Sequence, residues 1–163
     1  MEQSLYGQDF FRWTQQQADE LRRLGRAGAN LPLDWENLAE EVESLGRSEQ
    51  RELRSRLSTI IEHLLKLEFS SATDPRADWM DTVDRERQEI VDGLLVDSPS
   101  LRSVVEPMIA RETRKAAGRA ARSMARHGEL DEAVRQGLLK ASYSEEQVLG
   151  DWFPNEPSGG HSS

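Results

Sequence analysis

Apolar residues in this chain recur at three- and four-residue steps, and this spacing constrains the fold more than any other feature. Trp35, Leu38, Val42 and Leu45 begin the longest series, and Leu53, Leu57, Ile60, Leu64 and Leu67 continue it. That spacing keeps one face of a helix apolar, whereas a half-buried strand would need alternation with period two. No segment alternates over strand length, and no Asn-Gly or Asp-Gly turn lies between alternating runs. The chain is therefore expected to be all-α.

The helix boundaries follow from caps and breakers. Asp9 is placed to cap a first helix whose stripe is Phe10, Trp13, Gln17, Leu21 and Leu24, with Phe11, Thr14 and Ala18 beside it. Gly25, Gly28, Asn30 and Pro32 mark a loop. Asp34 caps the next helix, with Glu36 in its first turn. The stripe is interrupted at Gly46-Arg47-Ser48-Glu49. Either one long helix passes through a polar stutter, or two helices meet at a kink. The kink is favoured, because glycine costs about 1 kcal/mol in a helix interior and Ser48 could cap a fresh start. Asp74-Pro75 and Ser98-Pro99 read as further starts, and Pro107 as a kink or restart. The Ala-rich run to Ala125 favours helix, Gly128 stops it, and Ser144 with Gln147 forms a capping box. The outcome is an irregular bundle of five to seven helices, one domain over residues 1–153, with a flexible tail over 154–163. Trp13, Trp35, Leu38, Leu57, Ile60, Leu64, Trp79 and Ile90 are its expected core.

The 163 residues suffice for one core without metal or disulfide staples. There is no cysteine, which removes disulfides, thiolate metal sites and a cysteine nucleophile together. No signal-peptide pattern opens the chain and no apolar run approaches a membrane span, so a cytoplasmic location is expected. Only 36% of residues are apolar and 31% are charged, but four Trp and four Phe can build a core. The net charge of −9 disfavours generic nucleic-acid binding.

Two charged faces stand out. Glu36, Glu40 and Glu43 fall at i, i+4 and i+7 and so share a helix face, with Glu41 nearby. They are the candidate metal or acid/base residues, with His63 from a neighbouring helix as the further ligand. Bundle metal sites use Glu-x-x-His, but Ile60 precedes His63 by three and Met124 precedes His127 by three. The alternative is a solvated face salt-bridged to Arg47, Arg51 and Arg54, and it is preferred. His63, between Ile60 and Leu64, reads as a core or boundary histidine, and His161 falls in the tail. The second face is basic: Arg111, Lys115, Arg119, Arg122 and Arg126, with Arg114 beside it. It could contact an anion or a partner, or pair with the protein's own acidic helix. Small residues Ala116, Ala117, Gly118, Ala120 and Ala121 would let a neighbouring helix approach closely. No G-x-S-x-G elbow, phosphate-binding glycine loop or H-E-x-x-H is present. No catalytic residue is assigned and no cofactor is expected.

Several segments resemble the domain of unknown function 29 family of small bacterial proteins. They are Tyr6-x-x-Asp9-Phe10-x-x-Trp13-Thr14, then D-W-E-N-L-A-E-E-V-E-S-L-G-R-S-E from Asp34 to Glu49, then R-E-L-R-S-R-L from Arg51. H-L-L-K from His63, D-S-P-S-L-R from Asp97 and S-E-E-Q-V-L from Ser144 extend the likeness over residues 5 to 153. The resemblance implies a helical fold and carries no assigned activity, cofactor or substrate. It is weaker from Arg111 to Lys140. The functional expectation is a small acidic protein-interaction or regulatory module. A metal-dependent enzyme ranks second and a nucleic-acid contact through the basic helix third. A protein partner is expected, and so is a homodimer in which Trp152-Phe153 contributes. The alternative is that this aromatic pair folds back on its own bundle.

Overall fold

Asp9 does cap a helix: its carboxylate accepts from the Arg12 amide at 3.0 Å. The computed structural model describes residues 4–157, and among them every regular element is helical. In chain order these are α1 (Leu5–Gln8), α2 (Phe10–Arg26), α3 (Trp35–Phe69) and α4 (Arg76–Gln88). A π-helical stretch (Glu89–Leu94), α5 (Leu95–Asp97) and a 3-10 turn (Pro99–Leu101) lead into α6 (Arg102–Arg126). Finally come α7 (Glu132–Lys140) and α8 (Glu145–Leu149). Seven of the α-helices among the described residues have four residues or more. No helix among them is long and apolar enough to cross a membrane. Residues 158–163 of the expected tail, His161 included, lie outside the described residues.

The chain divides into two compact units. The first holds the chain up to Leu53 together with Val91–Ser103; the second holds Arg54–Ile90 and the chain from Val104 onward.

In the first unit, α2 buries Phe11, Thr14 and Ala18, which share one face at i, i+3 and i+7. Opposite them is Gly46 of α3. A Cβ there would overlap the Thr14 hydroxyl oxygen and sit 3.3 Å from the Phe11 ring. This corrects the expected kink: α3 runs unbroken from Trp35 to Phe69. Gly46 is present to let two helices touch, and that packing offsets its helix-propensity cost. Ser48 starts no helix; its hydroxyl accepts from Arg51 at 3.0 Å. Pro107 likewise lies inside a continuous α6, near its start. Gly46→Ala makes the point measurable. Propensity alone predicts a gain of about 1 kcal/mol, while overpacking predicts a loss of about 1–3 kcal/mol. The loss is expected in chemical denaturation, and a neutral or stabilised variant would refute the close approach.

A polar clasp completes this unit. The Phe11 amide donates to Ser98 Oγ at 3.0 Å, and the Ser98 hydroxyl donates to Glu49 at 2.8 Å. The Ser100 amide and hydroxyl donate to the Asp9 carboxylate at 2.9 and 2.8 Å. Ser98 precedes Pro99 as expected, but its side chain makes no capping bond to the turn it precedes and accepts instead from a first-turn amide of α2.

The second unit buries Leu57, Ile60, Ile61, Leu64 and Leu65 of α3, and with them Val83 and Ile90. Val105, Ile109, Ala116, Ala120 and Met124 of α6 join them, all buried. Arg119 on α6 donates to Glu62 on α3 at 3.2 Å and to Ser58, which fixes the two helices side by side. Pro75, not Asp74, is the residue at the α4 N-cap, and no side chain caps that helix. Gly128 ends α6 with φ +70°, a conformation that suits glycine, and the Ser144–Gln147 capping box opens α8.

The expected core divides in the same way. Leu57, Ile60, Leu64 and Ile90 are fully buried. Trp13, Trp35 and Trp79 are half-buried, and Leu38 is exposed. The buried line on the first half of α3 is Ala39, Gly46 and Leu53. Leu38 and Leu45 each precede a member of that line by one residue, and so point about 100° away from it.

Candidate functional site

The acidic face of α3 meets a cation from α2. Arg22 reaches Glu36 at 3.4 Å and Glu40 at 3.6 Å, and it hydrogen-bonds Glu43. Arg47 reaches Glu40 at 2.6 Å and Glu43 at 3.4 Å. The Arg22 guanidinium holds the Glu43 carboxyl below its ordinary value. Three carboxylates thus converge on one arginine. Arg47 belongs to this group as expected; Arg51 and Arg54 do not appear in it. Arg22 was not anticipated, although the signal existed: it follows stripe residue Leu21, and a short loop returns the chain antiparallel into the acidic helix.

His63 does not join these carboxylates. It sits on α3 itself, not on a neighbouring helix, about five and a half turns beyond Glu43. Its Nδ1 lies 2.8 Å from the Thr59 carbonyl oxygen. Among the described residues, no group of three or more His, Asp or Glu side chains could hold a metal ion.

The basic residues of α6 divide by position. Arg119 is half-buried and pairs with Glu62. Lys115 leans on Glu112 of its own helix at 3.9 Å. Arg111, Arg122 and Arg126 are exposed. Beneath this face Ala116, Ala117 and Ala120 are buried, so the small residues do serve helix packing.

Another stretch of the first unit carries exposed apolar and acidic side chains. Leu31, Leu33, Leu38 and Leu45 are exposed, Leu31 at 60% and Leu45 at 48%. Leu38, Val42, Leu45 and Glu49 follow one another by four, three and four along α3, and so form one line on its surface. Glu49 then lines a pocket of about 340 Å³ with Tyr6, Phe10 and Asp97. Tyr6 packs edge-on against Phe10 and Trp13, with centroids 5.7 and 4.8 Å apart. Burial pushes the Glu49 carboxyl up from its ordinary value, and Glu52, Asp97 and Asp9 add to the push while the Ser98 hydroxyl opposes it.

The C-terminal aromatic pair has its place within its own unit. Buried Arg87 donates from Nε to the Val148 carbonyl at 2.8 Å, and from Nη2 to Gln147 at 2.8 Å and Trp152 at 2.6 Å. Its guanidinium stacks 4.7 Å from the centre of the Phe153 ring. Trp152 lies against Tyr143, centroids 6.1 Å apart. Tyr143 donates to Glu68 at 2.6 Å, and burial with that bond pushes its phenol far up. Both rings of the pair thus contact side chains of their own chain.

These features define an acidic, all-helical protein whose most distinctive sequence segments build its own packing. The chain belongs to the family described as domain of unknown function DUF29, whose model matches residues 5–153. It is similar in structure to an α-helical protein of unknown function from Rhodospirillum rubrum, with a TM-score of 0.68 and 25% sequence identity. That similarity covers 94% of this chain and all of the other. No curated protein matches the chain.

Proposed function

We infer that this protein is an interaction module, and that it binds a partner protein along the Leu38–Glu49 line of α3. The observation carrying this reading is that four of the exposed large apolar side chains fall between Leu31 and Leu45. Exposed apolar groups set together mark a contact surface, whereas scattered ones need no explanation. The charge around this surface supports a basic partner. Glu41 is exposed beside the leucines, and Glu49 and Asp97 line the pocket at the end of the line. In a chain of net charge −9 this favours an amphipathic segment carrying Lys or Arg. The metal-enzyme reading ranks lower, because Arg22 occupies the carboxylates that would have to bind the ion.

Leu38→Asp combined with Leu45→Asp tests the reading. Both side chains are exposed, so stability should change by no more than about 0.5 kcal/mol per site. Wild type and variant are used for affinity capture from native extract, and the bound segment is mapped by cross-linking. The expected result is a partner lost by the variant, cross-linked near Leu45 through a basic amphipathic segment. Retention by the variant, an acidic segment, or only a second copy of this chain would overturn it.

A further inference from the structure

The second unit contains a cavity of about 290 Å³ whose walls carry opposite charges. Lys66, Ser70, Trp79, Met124, His127 and Glu129 line it. Lys66 and Glu129 share this space but do not pair with each other. The Lys66 ammonium stands 5.9 Å from the centre of the Trp79 ring and 3.7 Å from Glu62. Glu62 is also taken by Arg119 at 3.2 Å, so one carboxylate answers two cations and Lys66 is only partly neutralised. Glu129 accepts from the buried Ser70 hydroxyl at 2.8 Å, a neutral donor, and no cation among the described residues reaches it. His127 Nδ1 lies 2.8 Å from the Ser123 carbonyl oxygen, which leaves Nε2 as the free ring nitrogen.

This combination excludes simpler ligands. Glu129 would repel a bare anion, and Lys66 would repel a bare cation. A purely apolar molecule would strip water from both charges without replacing it, at a cost. Trp79 and Met124 supply apolar wall, and the volume is at the small end for a ligand site. We propose that this cavity binds a small zwitterion of the α-amino acid class. Its carboxylate faces Lys66, its ammonium faces Glu129, and an apolar side chain lies against Trp79 and Met124. The site is independent of the partner surface of the first unit.

The test is calorimetric titration of the full chain with each standard α-amino acid. Any that binds is compared with the matching amine lacking the carboxylate and the matching acid lacking the amine. At least tenfold weaker binding is expected for each truncated probe. Lys66→Met should abolish the preference for the amino acid over the amine, and Glu129→Gln the preference over the acid. Wild-type NMR gives a readout that no variant's folding can confound: the Trp79 indole and Met124 methyl signals should shift on titration. The proposal is overturned if no amino acid binds up to millimolar concentration by either method. It is equally overturned if shifts fall outside the cavity, or if a truncated probe binds as well as the parent.

Discussion

Leu57→Ala is expected to destabilise the protein by about 2–5 kcal/mol. Leu57 is fully buried in the second unit, on the α3 face that also buries Ile60, Ile61 and Leu64. Removing its branched end takes apolar surface out of the core and leaves a cavity, because helices fixed side by side by Arg119, Glu62 and Ser58 cannot close over it. Leu38→Ala is the control. It makes the same chemical change on the same helix at an exposed site, and should cost less than about 1 kcal/mol. Denaturant midpoints of the two variants, followed by circular dichroism, decide the matter. Equal costs would mean that the faces of α3 are wrongly assigned.

Arg87→Met should cost about 2–4 kcal/mol, since hydrogen bonds from a charged donor contribute more than neutral ones. Its effect should also be local in a way that a core truncation is not. One guanidinium holds the carbonyls of Gln147, Val148 and Trp152 and stacks on Phe153. Burial lowers the Arg87 pKa, with Asp84 and Asp151 acting the other way, so the charge is held out of water to make these bonds. Methionine fills similar space but leaves the carbonyls without a donor. Amide exchange across α8 and on to Phe153 should accelerate more than exchange in α3. Arg87→Lys should recover little, because an ammonium lacks the planar fork that spans several acceptors. Unchanged protection of α8 in Arg87→Met would show that the segment is held by its apolar contacts alone.

The proposed contact surface and the cavity differ in how far the sequence reveals them. Leu38 and Leu45 belong to the apolar stripe, and Leu38 reads as core, because periodicity identifies a stripe but not which neighbour covers it. Lys66, Trp79, His127 and Glu129 form no motif together, being spread over two helices and the stretch after α6. Only folding brings them together.

The sequence by itself determined the helical class, most helix ends and the absence of thiol chemistry. These are local properties: Asp9, Asp34, Gly128 and Ser144 act on the backbone within a few residues of themselves. It also determined that the second half of α3 would be core, since Leu57, Ile60 and Leu64 recur without interruption. Tertiary structure alone decided the rest. Gly46 reads locally as a break, yet serves contact with Thr14 and Phe11. Glu36, Glu40 and Glu43 read as a vacant carboxylate face, yet answer Arg22 from another helix. Ser98 reads as a cap, yet ties Phe11 to Glu49. In each case the deciding interaction joins residues more than twenty apart or on different helices. Spacing along one helix fixes which side chains share a face, but not what that face meets.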